Sequence, residues 1–408
     1  MKCRHCGSRL SQTLIDLGSA PPSNAYLSER RLATPEVWLP LRVQICQTCW
    51  LAQTVDFTSA DALFDDDYAY FSSMSASWLK HAEHYVAAMV SRFSLDENSK
   101  VVEIASNDGY LLQYVMARGI SALGIEPTAS TASAARARGI PVLEEFFGKS
   151  LAARIRSEHG AADLMVANNV LAHVPDINDF VNGFAILLAD DGVATFEFPS
   201  LLSLIGQDQF DTIYHEHYSY LSFKAVERIF AANSLKVFDV ETLSTHGGSL
   251  RVFAERADSG RRAENEAVSR QRALEAEAGI DRADFYEGFQ AKAERIKDDF
   301  LRFLLDAKRD GNSICAYGAA AKGNTLLNFA GVRPDLLPFV VDRSPGKQGK
   351  YLPGSRIPIV SEERIRETRP DYIVILPWNL RTEIAQQLAY VRDWGGRFVT
   401  GVPRLEIF

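Results

Sequence analysis

Val101-Val-Glu-Ile-Ala-Ser-Asn-Asp-Gly109 is the stretch that decides the fold. Val101 through Ala105 has the apolar, β-branched character of a buried strand, Ser106-Asn-Asp-Gly109 breaks it, and a helical pattern starts at about Tyr110. Strand passing straight into helix is the unit of a doubly wound sheet, and the unit repeats downstream. Ala122-Leu-Gly-Ile-Glu126, Leu164-Met-Val-Ala167 and Val193-Ala-Thr-Phe-Glu-Phe198 read as further strands with helices between them. The alternation predicts an α/β fold with helices on both faces of a parallel sheet. Ligands of such sheets sit at the carboxyl ends of the strands.

The chemistry of the first turn narrows the ligand. A dinucleotide site wants Gly-x-Gly-x-x-Gly, so that pyrophosphate can rest on a helix N-terminus. Here one glycine, Gly109, stands beside Asp108. An acidic turn suits a ligand with a cationic amino-acid tail, and Glu126, about twenty residues on, suits ribose hydroxyls. S-adenosylmethionine has both features. The expected cofactor set is Glu103, Ser106, Asn107, Asp108, Gly109, Glu126 and Asn168.

Working outward, the 408 residues make room for two to three domains, and 47% hydrophobic with 24% charged residues is ordinary globular composition. A formal net charge of -8 argues against nucleic acid as a partner. No apolar run reaches the ~18 residues needed to span a bilayer, and Met1-Lys-Cys-Arg-His-Cys-Gly-Ser-Arg-Leu10 lacks a signal-peptide core. The expectation is a cytoplasmic protein without a membrane partner, its cysteines serving as metal ligands or free thiols. Cys3-x-x-Cys6 and Cys46-x-x-Cys49 supply four thiolates for one structural Zn(II) with no open position, a disulfide or redox role being the alternative. Basic residues exceed acidic ones only by six to four through Thr58, so this is not an obvious nucleic-acid finger. Asp65-Asp-Asp-Tyr68 either caps a helix or packs as a lid over the next domain.

Beyond the fifth strand comes Phe210-Asp-Thr-Ile-Tyr-His-Glu-His-Tyr-Ser-Tyr-Leu221, crowded with proton-handling groups: Tyr214, His215, Glu216, His217, Tyr218 and Tyr220. It reads either as a polar loop or as an acid/base site. In extended backbone, Tyr214 and Glu216 would share one side and the two histidines the other. His173, just past the fourth strand, is either a bonded scaffold residue or a site residue. Leu235–Val240 and Ser249–Phe253 form a candidate hairpin, the ending of methyltransferase sheets, joined through Thr245-His-Gly-Gly248. His246 is read first as turn chemistry, with substrate contact as the alternative. Residues 261–309 read as charge-dense, solvated linker helices.

The remainder repeats the doubly wound pattern. Ile314-Cys-Ala-Tyr-Gly-Ala-Ala-Ala-Lys-Gly-Asn324 is strand, small-residue turn and helix start, with Lys322 at a possible anion site. Phe339–Asp342, Tyr372–Trp378 and Phe398–Gly401 complete it, and Cys315 reads as a core residue. The expected layout is a zinc-binding domain over 1–65, a class I methyltransferase Rossmann-like domain over 66–258, a helical linker over 259–310 and a second Rossmann-like domain over 311–408.

The Cys knuckles, Glu103-Ile-Ala-Ser-Asn-Asp-Gly109, Ala172-His-Val-Pro175, Tyr214-His-Glu-His-Tyr-Ser-Tyr220 and His246-Gly-Gly-Ser-Leu-Arg251 occur together and in this order. In this the whole chain resembles the zinc-containing nucleotide-sugar C-methyltransferases of deoxysugar and natural product biosynthesis. These methylate carbon 3 of a 4-keto-6-deoxyhexose on a nucleoside diphosphate, commonly dTDP. The resemblance implies His217 as the base that forms an enolate, with Glu216, Tyr214, His173 and Tyr68 around the sugar. It implies a carboxyl-terminal domain that holds the nucleotide sugar, with His246, Lys322, Asn324, Lys347 and Tyr351 as candidate contacts, and a monomer or weak dimer. Competing readings are O- or N-methylation of another metabolite, a nicotinamide-dependent sugar oxidoreductase using the irregular Gly318–Gly323 turn, and a non-catalytic zinc scaffold.

Overall fold

The computed structural model describes residues 1–55 and 71–408. Tyr68 and its acidic neighbours lie outside the described residues. Among the described residues, three sheets organise the fold. The central one contains β4 (Lys100–Ile104), β5 (Ser121–Ile125), β6 (Val142–Leu143), β7 (Ala162–Asn168), β8 (Leu188–Pro199), β10 (Leu235–Leu243) and β11 (Ser249–Arg256). Its order is β10-β11-β8-β7-β4-β5-β6. The strands from β8 to β6 run parallel, and β11 enters antiparallel between β8 and β10. The apolar runs of the sequence become these strands because both faces are covered by helices, as a parallel sheet requires.

The amino-terminal sheet has the order β1-β2-β3-β9, from Gln12–Ala20, Leu39–Ile45, Ala52–Thr54 and Ser219–Tyr220. Its last strand is borrowed from the histidine-rich loop: Ala52 pairs with Tyr220 and Gln53 with Ser219. The third sheet holds β12 (Ile314–Tyr317), β13 (Val340–Val341), β14 (Ile359–Val360), β15 (Tyr372–Ile375), β16 (Arg397–Thr400) and β17 (Glu406–Ile407) in the order β14-β13-β12-β15-β16-β17, parallel except at its last strand. Cys315, in β12 (Ile314–Tyr317), is fully buried, and burial pushes its thiol pKa up. Among the described residues no helix is long and apolar enough to cross a membrane.

The linker helices differ from the solvated pair expected. In the helix Phe289–Arg309 the residues Phe289, Ala293, Ile296, Phe300, Leu304 and Ala307 are buried. Their spacing of three and four draws one stripe along the helix. That stripe joins a core shared by Ile15 and Val43 of the first sheet, Phe210 and Ile213 of the histidine-rich loop, and Val374 and Val399 of the third sheet. Each large side chain buried there contributes about 1.5–3 kcal/mol. The charges that suggested solvation occupy the other faces of the helix.

The helix Glu266–Ala278 sends Glu275 inward, where its carboxylate accepts from Phe223 N at 2.7 Å and Lys224 N at 2.9 Å. It thereby caps the helix Phe223–Ala232. Replacing Glu275 by Ala leaves those amides without their acceptor, and should lower unfolding free energy by about 1–3 kcal/mol in urea titrations.

Candidate active site

The turn after β4 takes a shape that its residue types only just permit. Ala105, Asn107 and Gly109 have φ of 56°, 50° and 78°. At Gly109 a Cβ would collide with Ile140, so glycine is required. Asn107 N donates to Glu126 Oε2 at 2.9 Å and Thr128 N to Glu126 Oε1 at 3.0 Å, fixing the carboxylate that ends the second strand. A cavity of about 650 Å³ opens over this turn. Its lining includes Asn107, Glu126, Phe147, Asn168, Tyr214, His217, His246 and Lys322.

The expected cofactor residues divide. Asn107, Glu126 and Asn168 reach the cavity; Glu103, Ser106, Asp108 and Gly109 do not line it. Glu103 lies wholly buried within β4, where burial holds its carboxyl well above the usual range. Asp108 is engaged by the Ser73 hydroxyl and by Arg138 at 3.3 Å, and so serves the turn's own structure. Asn168 fits a ligand contact: both ends of its buried side-chain amide are without a protein partner. An orphaned amide beside a held carboxylate, in a cavity of this size, suits the amino-acid tail and ribose of S-adenosylmethionine.

The histidine-rich loop does not alternate as extended chain would. His217 N donates to Tyr214 O at 3.0 Å, closing a turn that sets the Tyr214 and His217 rings against each other, centroids 4.0 Å apart and tilted by 32°. Tyr214 and His217 therefore share the cavity side. His215 faces the first sheet instead, its Nε2 3.2 Å from Leu39 O. Glu216 does not line the cavity; its Oε1 accepts from Asn24 N at 3.0 Å and Asn24 Nδ2 at 3.1 Å, and Asn24 lines the cavity in its place.

His217 Nδ1 lies 3.0 Å from Thr212 O and must carry the proton, since a carbonyl only accepts. Nε2 is then a lone-pair acceptor. Burial, with His173 beside it, holds the His217 pKa well below the usual value. His173 donates from Nδ1 to Glu216 O at 2.8 Å and sits edge-on to His217 at 4.7 Å. Burial lowers the His173 and His246 pKa values to about 4.

His246 sits in a left-handed conformation, φ 55°, which aims a turn residue into the cavity. It is a turn residue that also lines the cavity. Trp78 packs on its edge at 5.2 Å and stacks on His81 at 4.7 Å. His81 Nε2 lies 2.9 Å from Glu197, which also accepts from Arg251 Nε at 2.7 Å. Burial alone would raise the Glu197 pKa, but His81 and Arg251 hold it below the usual range. Trp78 and Asn24 were not legible as site residues, because the contacts that place them are made across long stretches of chain.

Of the carboxyl-terminal candidates, Lys322 and Lys347 line the cavity. Lys347 Nζ already donates to Ala319 O at 2.8 Å, with Asp342 at 3.7 Å. Asn324 and Tyr351 do not line it. Asn324 Nδ2 donates to Ser23 O at 2.6 Å, and Tyr351 forms a backbone bridge with Leu27, so both fasten the amino-terminal segment to the third sheet.

Sulfurs of Cys3, Cys6, Cys46 and Cys49 gather within 4.8 Å of one another, away from the cavity. The separations of 3.5 Å for Cys3–Cys49 and Cys6–Cys46 exceed any disulfide. They approach the edge of about 3.8 Å that a tetrahedron with Zn–S bonds near 2.3 Å would have. The cluster is a structural zinc site.

Two outcomes follow from these geometries. Changing Cys46 and Cys49 together to Ser should abolish zinc in the purified protein, read by elemental analysis, and lower the melting temperature. In NMR titrations His173, His217 and His246 should stay neutral from pH 8 to 6, where an ordinary histidine becomes more than half protonated. Because each folded pKa is depressed, the stability these groups contribute is present above the unfolded value and lost as pH falls toward the folded one.

Residues 3–64 match a family described as "Putative zinc binding domain", 78–240 a "Methyltransferase domain", and 244–403 a "C-methyltransferase C-terminal domain". The chain is 35% identical over 402 residues to C-methyltransferase NovU of Streptomyces niveus, covering 98% of this chain and 95% of that one. Magnesium protoporphyrin IX methyltransferase of Synechocystis, solved with bound SAH, matches 44% of this chain and 83% of its own, at 16% identity and TM-score 0.36. A SAM-dependent methyltransferase of Anabaena variabilis matches 49% and 96%, at 14% identity and TM-score 0.39. These two likenesses bear on neither acceptor nor mechanism. On the full-length relationship, the chain belongs to the S-adenosylmethionine-dependent C-methyltransferases that carry an amino-terminal zinc-binding domain.

Proposed function

We propose that the acceptor is carbon 3 of a 4-keto-6-deoxy sugar on a nucleoside diphosphate, with dTDP the first nucleotide to test, and that His217 is the base. The observation that carries this reading is the His217 imidazole, neutral and tethered through Nδ1, with Nε2 left as acceptor on a residue that lines the cavity. A proton next to a ketone is within reach of a modest base, because the charge left behind spreads onto oxygen. Nε2 takes that proton. S-adenosylmethionine supplies the electrophilic methyl group to the carbon.

Neighbouring residues have matching parts. Asn107, Glu126 and Asn168 orient the cofactor, while Tyr214 and His173 bound the sugar. Lys322 and the N-terminus of the helix Ala321–Phe329, which line the cavity, suit a diphosphate. Lys347 joins them only by giving up its bond to Ala319. Burial and nearby positive charge depress His217, so an anionic acceptor placed against Lys322 brings its pKa back toward neutrality, where a base works best. Glu216 acts through Asn24, and Tyr68, also expected around the sugar, lies outside the described residues.

Acceptor deuterated at carbon 3 decides between acceptors. The wild-type enzyme should release deuterium to solvent as it methylates, whereas O- or N-methylation would leave the label in place. His217→Ala should keep S-adenosylmethionine binding by calorimetry and lose about 10²–10⁴-fold in turnover. A variant with near-wild-type turnover would remove His217 from this role.

A further inference from the structure

The loop that carries His217 is gripped from the carboxyl-terminal side at three of four successive residues. The Phe210 ring packs against Phe329 with centroids 5.6 Å apart. Asp211 Oδ2 accepts from Trp378 Nε1 at 2.8 Å, and Ile213 O accepts from Thr325 Oγ1 at 2.8 Å. The fourth residue, Thr212, is the one whose carbonyl holds His217 Nδ1 at 3.0 Å.

Trp378 also abuts the opposite wall. A Cβ on Gly247, next to His246, would come within 2.6 Å of the indole. The ammonium of Lys322 lies over the indole face, 4.6 Å from its centroid, and donates to Asn379 Oδ1 at 2.7 Å. Asp211 is 1% exposed, and its other oxygen, Oδ1, has no protein partner. The indole N–H is thus the side-chain donor that fixes this buried carboxylate. Without it, the short turn Phe210–Thr212 keeps its contacts with Phe329 and Thr325 and loses the one made to the Asp211 carboxylate.

We propose that Trp378 and Asp211 are positioning residues for the base: their bond sets the Thr212 carbonyl, which holds His217 in a single tautomer with Nε2 available. The carboxyl-terminal domain is then part of the mounting of the base as well as a place for the acceptor. This rests on His217 being the base. Displacing a reacting group by about 1 Å costs on the order of 10²-fold in rate, which sets the scale of the effect.

Trp378→Phe keeps an aromatic face for Lys322 and removes the N–H. Its kcat should fall by about 10- to 100-fold with KM changed less than about threefold. The double variant Trp378→Phe with Asp211→Asn removes the stranded charge. It should regain melting temperature without regaining kcat; recovery of both together would reduce the pair to packing. The second readout needs no acceptor. In ¹⁵N-histidine spectra, with His217 assigned by difference against His217→Asn, the wild-type protein should show one neutral tautomer protonated at Nδ1, and Trp378→Phe a mixture. An unchanged single tautomer in Trp378→Phe would overturn the proposal. If the wild-type protein methylated no 4-keto sugar while the tautomers still mixed in the variant, the acceptor assignment would fail and the positioning role would stand.

Discussion

Burial of the Phe210–Tyr220 loop among three units is the constraint on which the rest of this structure depends. Two of its residues complete the first sheet, its apolar side chains enter the core shared with the third sheet, and its neighbours form one wall of the cavity over the second. A lone loop with this many polar groups would prefer water. Here each main anchor is a hydrogen bond from outside the loop: Thr325 to Ile213, Trp378 to Asp211, Asn24 to Glu216. Within the described residues the loop has no sheet or helix of its own to rely on beyond one short turn and a two-residue strand. Its shape belongs to the whole chain.

The electrostatics follow from that burial. Desolvation disfavours charge, so the histidines at the cavity stay neutral while Glu103, Glu126, Asp211 and Glu216 are pushed toward their protonated forms. Glu197 is the exception because Arg251 and His81 pair with it. The family relationship sets aside the oxidoreductase and the non-catalytic scaffold.

Much was legible where local pattern and three-dimensional cause coincide. Paired Cys-x-x-Cys spacing yields a four-thiol cluster because the knuckles themselves bring the sulfurs together. The strand Lys100–Ile104 was readable because a strand covered on both faces is mainly apolar, Glu103 being its one buried charge. The Tyr214–His217 turn was not, since alternation describes only extended chain. Asp108 looked like a ligand group until Ser73 and Arg138 claimed it, and Asn324 until Ser23 did. Charge concealed the buried stripe of Phe289–Arg309, although its spacing was there to be read. For Asp108 and Asn324 the deciding partner lay far along the chain.

The bond between Asn324 and Ser23 spans 301 positions. During synthesis the amino-terminal segment emerges long before the helix Ala321–Phe329 that it must grip, and the borrowed strand Ser219–Tyr220 also arrives late. Until then the first sheet lacks an edge and much of its core. The four cysteines all precede both of those segments, so zinc binding, which contributes directly to folding, needs only residues already present by then. Zinc in this enzyme is in that sense a provision for the order in which the chain is made: it keeps the first part in shape for a partner that does not yet exist.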